Sequence, residues 1–282
     1  MPSTTRPAAR LGALCLVVLC ALPLARAAAF GAEGHRIVGL VAEEFLDAPA
    51  RAELARLDGG ESLATVGLWL DEHKGELRAE LPGSDRWHYD NRPACAAQAP
   101  VASYCADGEC ASAAFAKYRA VLADRGAPPA ARLLALRVVV HLVADVHQPL
   151  HVADNGDRGA NRVEVLVGNR SRPKPLHAAW DVDFVRRAAR GADAADFAAR
   201  LAAEHRGASA ALGRGSFGDW MQESYRLAQT VAYGRLPGFA CGAPPGGVVR
   251  LPRAYSDEAA AIVREQLARA GIRLATLLNG TL

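Results

Sequence analysis

Apolar residues recur at three- and four-residue steps along most of the chain, which is the spacing of one face of an α-helix. The segments with this spacing are 36–46, 63–77, 111–124, 130–146, 177–189, 217–232 and 257–278. Residues 161–167 instead alternate between polar and apolar positions and precede Gly168 and Asn169, which predicts a strand and turn. We therefore expect a mostly α, bundle-like fold with one small β-hairpin.

The first 29 residues have the features of a secretory signal. Arg6 and Arg10 precede an apolar run over 11–24, and small alanines occupy 27–29, so we expect the mature chain to begin at Phe30 and to form one domain, 30–282. The 33 basic residues exceed the 30 acidic ones by three, and three arginines lie in this segment. The mature protein is thus formally neutral, so any affinity for nucleic acid must come from a local site rather than from bulk charge.

The cysteines agree with export to the periplasm or the extracellular space. Those outside the signal are Cys95, Cys105, Cys110 and Cys241. An even number of cysteines in an oxidising compartment indicates disulfides. Of the three possible pairings we favour Cys105 with Cys110, closing a small loop, and Cys95 with Cys241, tying the middle of the chain to a late loop.

The densest cluster of candidate ligands lies between residues 141 and 181. His141 and Asp145 are four residues apart, as are His177 and Asp181, so on a helix each pair projects from one face. Imidazole and carboxylate ligands without cysteine favour Zn²⁺ in an open catalytic site over a closed structural one. The cluster therefore indicates a metalloenzyme.

A proline interrupts this cluster. Pro149 should end the first helix near residue 147 and send His151 into the following loop, where it faces elsewhere. His147 lies two residues from Asp145 and so points to a different helix face. We therefore expect His147 to pack or to form hydrogen bonds rather than to bind metal, and His73 and His205 receive no assignment.

Further candidates are scattered through the first third of the chain. They are His35, Asp71, Lys74 and His88. Each is weak alone, because a single histidine is more often a satisfied core or surface residue than a ligand. Asp71 and Lys74 equally fit a solvated helix face. The neighbouring Trp69, Trp87 and Trp180 are expected to wall the site as core aromatics.

Together these motifs resemble the zinc-dependent single-strand nuclease and 3'-nucleotidase family, the type I nucleases of the phospholipase C/nuclease superfamily. The residues that carry the resemblance are Phe30-Gly-Ala-Glu-Gly-His35, Trp69-Leu-Asp71 with Lys74, Trp87-His88-Tyr89, the block from His141 to His151, Gly159-Ala-Asn161 and His177-Ala-Ala-Trp-Asp181. Two further stretches, 220–224 and 270–279, also look like family sequence. The resemblance covers the whole mature chain.

The resemblance implies a cofactor of three zinc ions. Asp71, His88, His141 and Asp145 would bind the first ion. Asp145 would bridge to a second, which His35 and the backbone amino nitrogen and carbonyl oxygen of Phe30 would complete. His151, His177 and Asp181 would bind the third. A carboxylate has two oxygens and can bridge in this way, whereas a neutral imidazole offers one lone pair.

The resemblance also implies an activity and its substrates. Asp71 and Lys74 would be the catalytic residues, and Tyr89, Asn91 and Asn161 would bind the base, with Asn91 standing where fungal members carry aspartate. The substrates would be single-stranded DNA and RNA and 3'-nucleotides, cleaved to leave 5'-phosphate products. We expect a monomer that acts without a membrane.

Two alternatives remain open at this point. A zinc-dependent phospholipase C would share the N-terminal residue and the ligand set, although Asn161 and the 220–224 stretch favour the nuclease branch. A noncatalytic zinc-binding helical protein would also explain the ligands, but the aspartate-rich set leaves positions for water that a closed structural site would not.

Overall fold

The computed structural model describes residues 30–96 and 99–282, so the predicted signal at 1–29 lies outside the described residues. The helices are α1 Gly31–Glu43, α2 Ala48–Asp58, α3 Leu63–Val66, α4 Trp69–Glu72, α5 Lys74–Glu80, α6 Ala111–Ala123, α7 Pro129–Asp145, α8 Leu176–Ala178, α9 Phe184–Ala189, α10 Ala194–His205, α11 Ser209–Leu212, α12 Phe217–Leu227 and α13 Arg253–Asn279. Short 3-10 turns and two π-helical segments, Ala179–Asp183 and Ala228–Ala232, connect them. The mostly α prediction is confirmed.

Helix α7 forms the centre of the molecule. Every residue from 138 to 145 is buried, which is the pattern of a helix surrounded by others rather than of one at the surface. Helices α1, α6 and α13 pack around it. The backbones of α1 and α13 come very close, because a Cβ added at Gly271 would lie 2.5 Å from the Val41 side chain. The central position of α7 buries the polar residues at its C-terminal end.

The helix boundaries differ from the sequence prediction in two respects. The predicted helix 63–77 is divided into α3, α4 and α5, with breaks at Gly67–Leu68 and at His73. Helices α2 and α10 were not predicted, and both are rich in alanine. Each begins with an aspartate cap, Asp47 or Asp193, whose carboxylate accepts a backbone N–H three residues on.

The strands form a small three-stranded sheet in the order β2-β1-β3. β1 (Glu164–Leu166) pairs antiparallel with β2 (Lys174–Pro175), which is the predicted hairpin. β3 (Val249–Arg250) pairs parallel to β1 and was not predicted, since two residues show no period. Strand β2 leads directly into the ligand-bearing segment at 176–183.

Two disulfides join the pairs favoured from the sequence. Cys95 bonds to Cys241 across 146 positions, and Cys105 bonds to Cys110 across 5. The Tyr225 hydroxyl also donates to the Pro93 carbonyl at 2.5 Å, so the segment around residue 93 is fixed against α12.

Among the described residues no helix combines the length and the apolar character needed to cross a membrane.

Candidate metal centre and substrate cavity

Five ligand candidates surround the C-terminal end of α7, and we call them the paired group: His35, Asp71, His88, His141 and Asp145. His141 Nε2 lies 3.0 Å from Asp145 Oδ2, one helical turn away. The same oxygen lies 3.2 Å from His88 Nδ1, whereas Asp145 Oδ1 faces His35 Nε2 at 3.3 Å. Asp71 Oδ1 lies 3.8 Å from His88 Nδ1. The Asp145 carboxylate thus faces imidazoles on two sides, as a bridging ligand would.

His151, His177 and Asp181 form a separate cluster of ligand candidates. We call it the third group, because it is expected to bind the third zinc ion. Helix α7 ends at Asp145, as Pro149 predicts, and His151 follows in a 3-10 turn. His177 Nε2 lies 3.1 Å from His151 Nε2 and 3.5 Å from Asp181 Oδ2. The prediction that His151 faces elsewhere holds only in part, because its Nδ1 is still within 3.9 Å of Asp145 Oδ1. The two groups are therefore neighbours.

Backbone carbonyls orient three of the imidazoles. The Nδ1 atoms of His141, His151 and His177 lie 2.6 to 2.7 Å from the carbonyl oxygens of Gly67, His88 and Gly159. An N–H donated there leaves the Nε2 lone pair directed at the other ligand candidates. This is the usual arrangement around metal-binding histidines in proteins. The break between α3 and α4 thus supplies the Gly67 carbonyl to the site.

Unpartnered atoms at these positions fit bound metal ions. Within 30–96 and 99–282, the buried atoms without a hydrogen-bond partner include both ring nitrogens of His35, Asp145 Oδ1, Asp181 Oδ2 and Asp71 Oδ2. Three sets of His and Asp atoms lie within 4.8 Å of one another. Zn–N bonds of 2.0–2.1 Å in a tetrahedron put ligand atoms roughly 3.3 Å apart, close to the separations above. The residues therefore fit three zinc ions.

Burial and neighbouring charge shift the pKa values at the site. Burial lowers the pKa of His141, but the negative charges of Asp145 and Asp71 outweigh it and the result is about 9. Burial lowers the pKa of His151 to about 3, so its ring is neutral as a ligand must be. Burial raises the pKa of Asp181 to about 6. Burial thus opposes the charged form of each of these side chains, and only a nearby opposite charge offsets it.

A cavity of about 520 Å³ opens above both groups. Its lining consists of Asp71, Lys74, His88, Tyr89, Asn91, Leu150, His151, Arg158, Asn161 and His177. All the predicted catalytic and base-binding residues are in this lining. Burial is the main cause that lowers the pKa of His88, and the charge of the neighbouring Lys74 lowers it further. A positive charge is thus available beside the paired group.

Phe30, a further predicted ligand, lies outside the cavity lining. It is buried and adopts a left-handed φ of 41° just before α1. Its carbonyl oxygen accepts a hydrogen bond from Gly34 N–H at 3.1 Å, and a Cβ at Gly34 would come within 2.8 Å of Phe30 Cβ. Glycine at 34 therefore lets Phe30 pack beside His35, and its role as a ligand stays a prediction.

A strained turn carries one wall of the cavity. Arg158, Gly159 and Ala160 all have φ near +60°, although only the middle residue is glycine. Asp157 Oδ1 accepts from Ala160 N–H at 2.7 Å and compensates for part of the strain. Asn161 Nδ2 donates to the Arg158 carbonyl, so this residue forms the turn and lines the cavity at once.

Sequence reasoning missed several contributors to the site. Arg158 and Leu150 line the cavity, and Gln148 donates a hydrogen bond to Asp181. The only sequence signal for them is their position between the ligands. His147 is buried, as expected of a packing residue, and its Nδ1 lies 2.7 Å from the Val143 carbonyl.

A hydrogen-bonded core network fixes His147 from the far side. Arg273 Nη1 lies 3.0 Å from His147 Nε2, and Arg273 Nη2 donates to Glu223 at 2.7 Å. Burial and the Arg273 charge lower the pKa of His147 to about 3, so it is neutral. The network ties α12 and α13 to the segment immediately after Asp145.

Comparison with protein families assigns the chain. Residues 30–282 match the profile of the S1/P1 nuclease family. The chain belongs to the S1/P1 nuclease family. Nuclease S1 of Aspergillus oryzae is 30% identical over 173 residues, covering 57% of this chain and 56% of that protein. Endonuclease 2 of Arabidopsis thaliana is 31% identical over 170 residues, 55% of the chain and 56% of the relative.

Another S1/P1 relative gives a similar result. Nuclease P1 of Penicillium citrinum is 27% identical over 159 residues, covering 54% of the chain and 57% of that protein. The chain thus spans about half the length of the curated relatives it matches. The S1/P1 profile, in contrast, covers every described residue, and the predicted family is confirmed.

Proposed function

We propose that the mature protein is a zinc-dependent endonuclease that hydrolyses single-stranded RNA and DNA to 5'-phosphate products and also removes the phosphate from 3'-nucleotides. One observation carries the proposal: a single cavity has metal-ligand groups at its floor and the predicted base-binding residues on its wall. The names of the similar nucleases support the same activity. The proposed domain is 30–282.

Zinc is the metal that we propose for this donor set. The paired group would hold two ions with Asp145 between them, and the third group would hold one. Bound zinc would supply Lewis acidity and would lower the pKa of its bound water to about 7. The protein supplies imidazole and carboxylate ligands and a buried floor that holds them.

The cavity wall accounts for binding of the substrate. We propose that Tyr89 stacks on a base, and that the amides of Asn91 and Asn161 contact base edges. Lys74 would neutralise charge that develops on the phosphoryl oxygens. Asp71 would fix the position of the attacking water through its free oxygen. A phosphate reaches the floor only when its base is unstacked, which favours single strands over duplexes.

We also propose that the protein is exported, acts as a monomer and has no membrane partner. The two disulfides are typical of an oxidising compartment such as the periplasm or the extracellular space. The signal-like residues at 1–29 support the same location. Gel filtration of the mature protein tests the oligomeric state, and N-terminal sequencing of the exported form tests cleavage before Phe30.

Substrate assays separate the proposal from its alternatives. The mature protein is incubated with single-stranded DNA, RNA, 3'-AMP, duplex DNA and phosphatidylcholine vesicles, with and without a chelator. We expect chelator-sensitive cleavage of the first three and little cleavage of the duplex. Release of the phospholipid headgroup would instead indicate a phospholipase C. Zinc binding without hydrolysis of any substrate would indicate a noncatalytic protein.

A further inference from the structure

Gln148 lies between the two ligand groups, in the turn that leads from α7 to His151. Its side chain is 0% exposed. Nε2 donates to Asp181 Oδ1 at 2.8 Å, and Oε1 accepts from Leu150 N–H at 2.6 Å. Because both ends of the amide are used, the side chain has one orientation that satisfies it.

The hydrogen bond from Gln148 distinguishes the two oxygens of Asp181. Oδ1 is occupied by the amide, whereas Oδ2 is buried without a hydrogen-bond partner among the described residues. Oδ2 is also the oxygen that lies 3.5 Å from His177 Nε2. The carboxylate therefore presents one free oxygen to the third group.

We propose that Gln148 is a positioning residue for the ion of the third group, which rests on the zinc site of the proposed function. Its amide fixes the rotation of the Asp181 carboxylate, so that the free Oδ2 faces His177 Nε2. Residues that form hydrogen bonds to metal ligands typically contribute 10–100-fold to metal affinity.

The other end of Gln148 acts on a second ligand. Gln148 is the N-cap of the 3-10 helix Pro149–His151, because its Oε1 accepts the Leu150 N–H. His151 is the last residue of this short helix. One side chain thus orients Asp181 directly and His151 through the backbone. A neutral amide suits both tasks, since it donates and accepts at once without bringing another charge into the buried site.

Zinc release tests this role. Gln148→Met keeps the length of the side chain and removes both hydrogen bonds. Mature holoprotein is titrated with a chromogenic chelator, and the dissociation constant of each ion is determined. We expect one of the three ions to be released about 10–100 times more readily, with the other two ions changed less than about twofold. Activity at low zinc should fall with that ion and return when zinc is added.

Gln148→Glu is a second variant, which covers the case that Gln148→Met does not fold. Its carboxylate keeps the acceptor for Leu150 N–H but, when ionised, cannot donate to Asp181. The same single ion should be weakened. Parental affinity for all three ions in both variants, or in Gln148→Glu if only that one folds, would overturn the proposal.

Gln266 offers a matched control, because it is 2% exposed and donates to the His147 carbonyl at 2.9 Å and to Ser224 Oγ at 3.0 Å. Gln266→Met should lower the melting temperature while all three ions keep their parental affinity. If it weakened the same ion equally, Gln148 would be an ordinary core residue and the proposal would be overturned.

The zinc measurement also separates this inference from the proposed function. Release is measured without a substrate, so a parent protein that binds three ions but cleaves no nucleic acid would refute only the nuclease activity. A parent that binds no zinc would overturn both. A parent that cleaves, with unchanged ion release in the Gln148 variants, would refute only the role of Gln148.

Discussion

Two buried polar regions meet at the C-terminal end of α7. They differ in whether their buried polar atoms have hydrogen-bond partners within the protein. In the ligand groups, His35, Asp145 and Asp181 have buried atoms without a hydrogen-bond partner in the described part of the chain. In the support network, which consists of His147, Ser224, Glu223, Gln266 and Arg273, none of the described side chains has such an atom. Asp145 and His147 are only two positions apart in the sequence.

The difference shows which buried polar residues require a ligand. A buried polar group without a partner costs about 1–3 kcal/mol, so several together are stable only if something else binds them. Buried Arg132 sharpens this criterion, since its unpartnered Nη2 is an N–H donor and cannot bind a cation. Convergent lone pairs therefore mark the metal centre, and complete hydrogen bonding marks the scaffold.

The largest expected effect on this contrast comes from removing the metal. An ion at about 1,000 times its dissociation constant stabilises a protein by about 4 kcal/mol. Chelation should therefore destabilise the parent by more than this amount, because three ions are lost. Calorimetry with and without chelator measures the change. An identical melting temperature in both conditions would contradict the metal assignment.

Next in size is the effect of Asp145→Asn on catalysis. An amide has one oxygen and cannot bridge two ions, so kcat should fall at least about 1,000-fold, or about 4 kcal/mol. Zinc content should fall from three ions to two, because the paired group loses its bridge. The control is Asp219→Asn, which alters only the capping box of α12 and should keep three ions. A near-parental kcat in Asp145→Asn would show that Asp145 does not bridge two ions.

Arg273→Met should break the support network without emptying the site. The change leaves the buried His147 Nε2 without a donor and Glu223 with only Arg269, 3.6 Å away, at a cost of about 3 kcal/mol in unfolding free energy. For a chain of this length, the melting temperature should fall by roughly 10 °C. Zinc content and kcat at 25 °C should stay close to the parent. Loss of one particular ion would show that scaffold and site are not separable.

Buried Arg132 lies outside both regions, and its contact with Glu53 predicts that the stability of the fold depends on pH. Its Nη1 lies 2.6 Å from Glu53 Oε1, and hydrogen bonds from Arg56 and Arg132 lower the pKa of Glu53 from 4.5 to about 2 despite the opposing effect of burial. Because the folded pKa lies below the unfolded one, this stabilisation is present above pH 4.5 and is lost as the pH falls towards 2.

Glu53→Gln tests that effect through urea unfolding. At neutral pH the variant should be about 2 kcal/mol less stable than the parent, because Arg132 is buried and loses its counter-charge. More than half of this difference should disappear by about pH 3. A difference that is independent of pH would show that the loss is one of packing rather than of charge.

The smallest expected effect concerns the cavity wall. Tyr89→Ala removes a stacking surface worth about 1–3 kcal/mol per base, so KM for single-stranded oligonucleotides should rise about 10-fold with little change in kcat. Tyr89→Phe keeps the ring and should behave like the parent. An unchanged KM in Tyr89→Ala would place the base elsewhere in the cavity.

The two regions also differ in how well the sequence predicts them. The ligands His141, Asp145, His177 and Asp181 could be identified because helical spacing and residue type are local. The partners of His147 and Gln148 could not, since Arg273 and Asp181 come from distant positions whose proximity depends on packing. The predicted helix 63–77 was wrong in its continuity, because tertiary contacts around Gly67 interrupt it.

Close packing of α1 against α13 links the paired group to a distant part of the sequence. His35 lies on α1, and Gly271, where the two backbones meet, lies on α13. A side chain at position 271 would come within 2.5 Å of the Val41 side chain and push α1 away from α13. His35 would move with α1, so the geometry of the paired group depends on a glycine that is not one of its members.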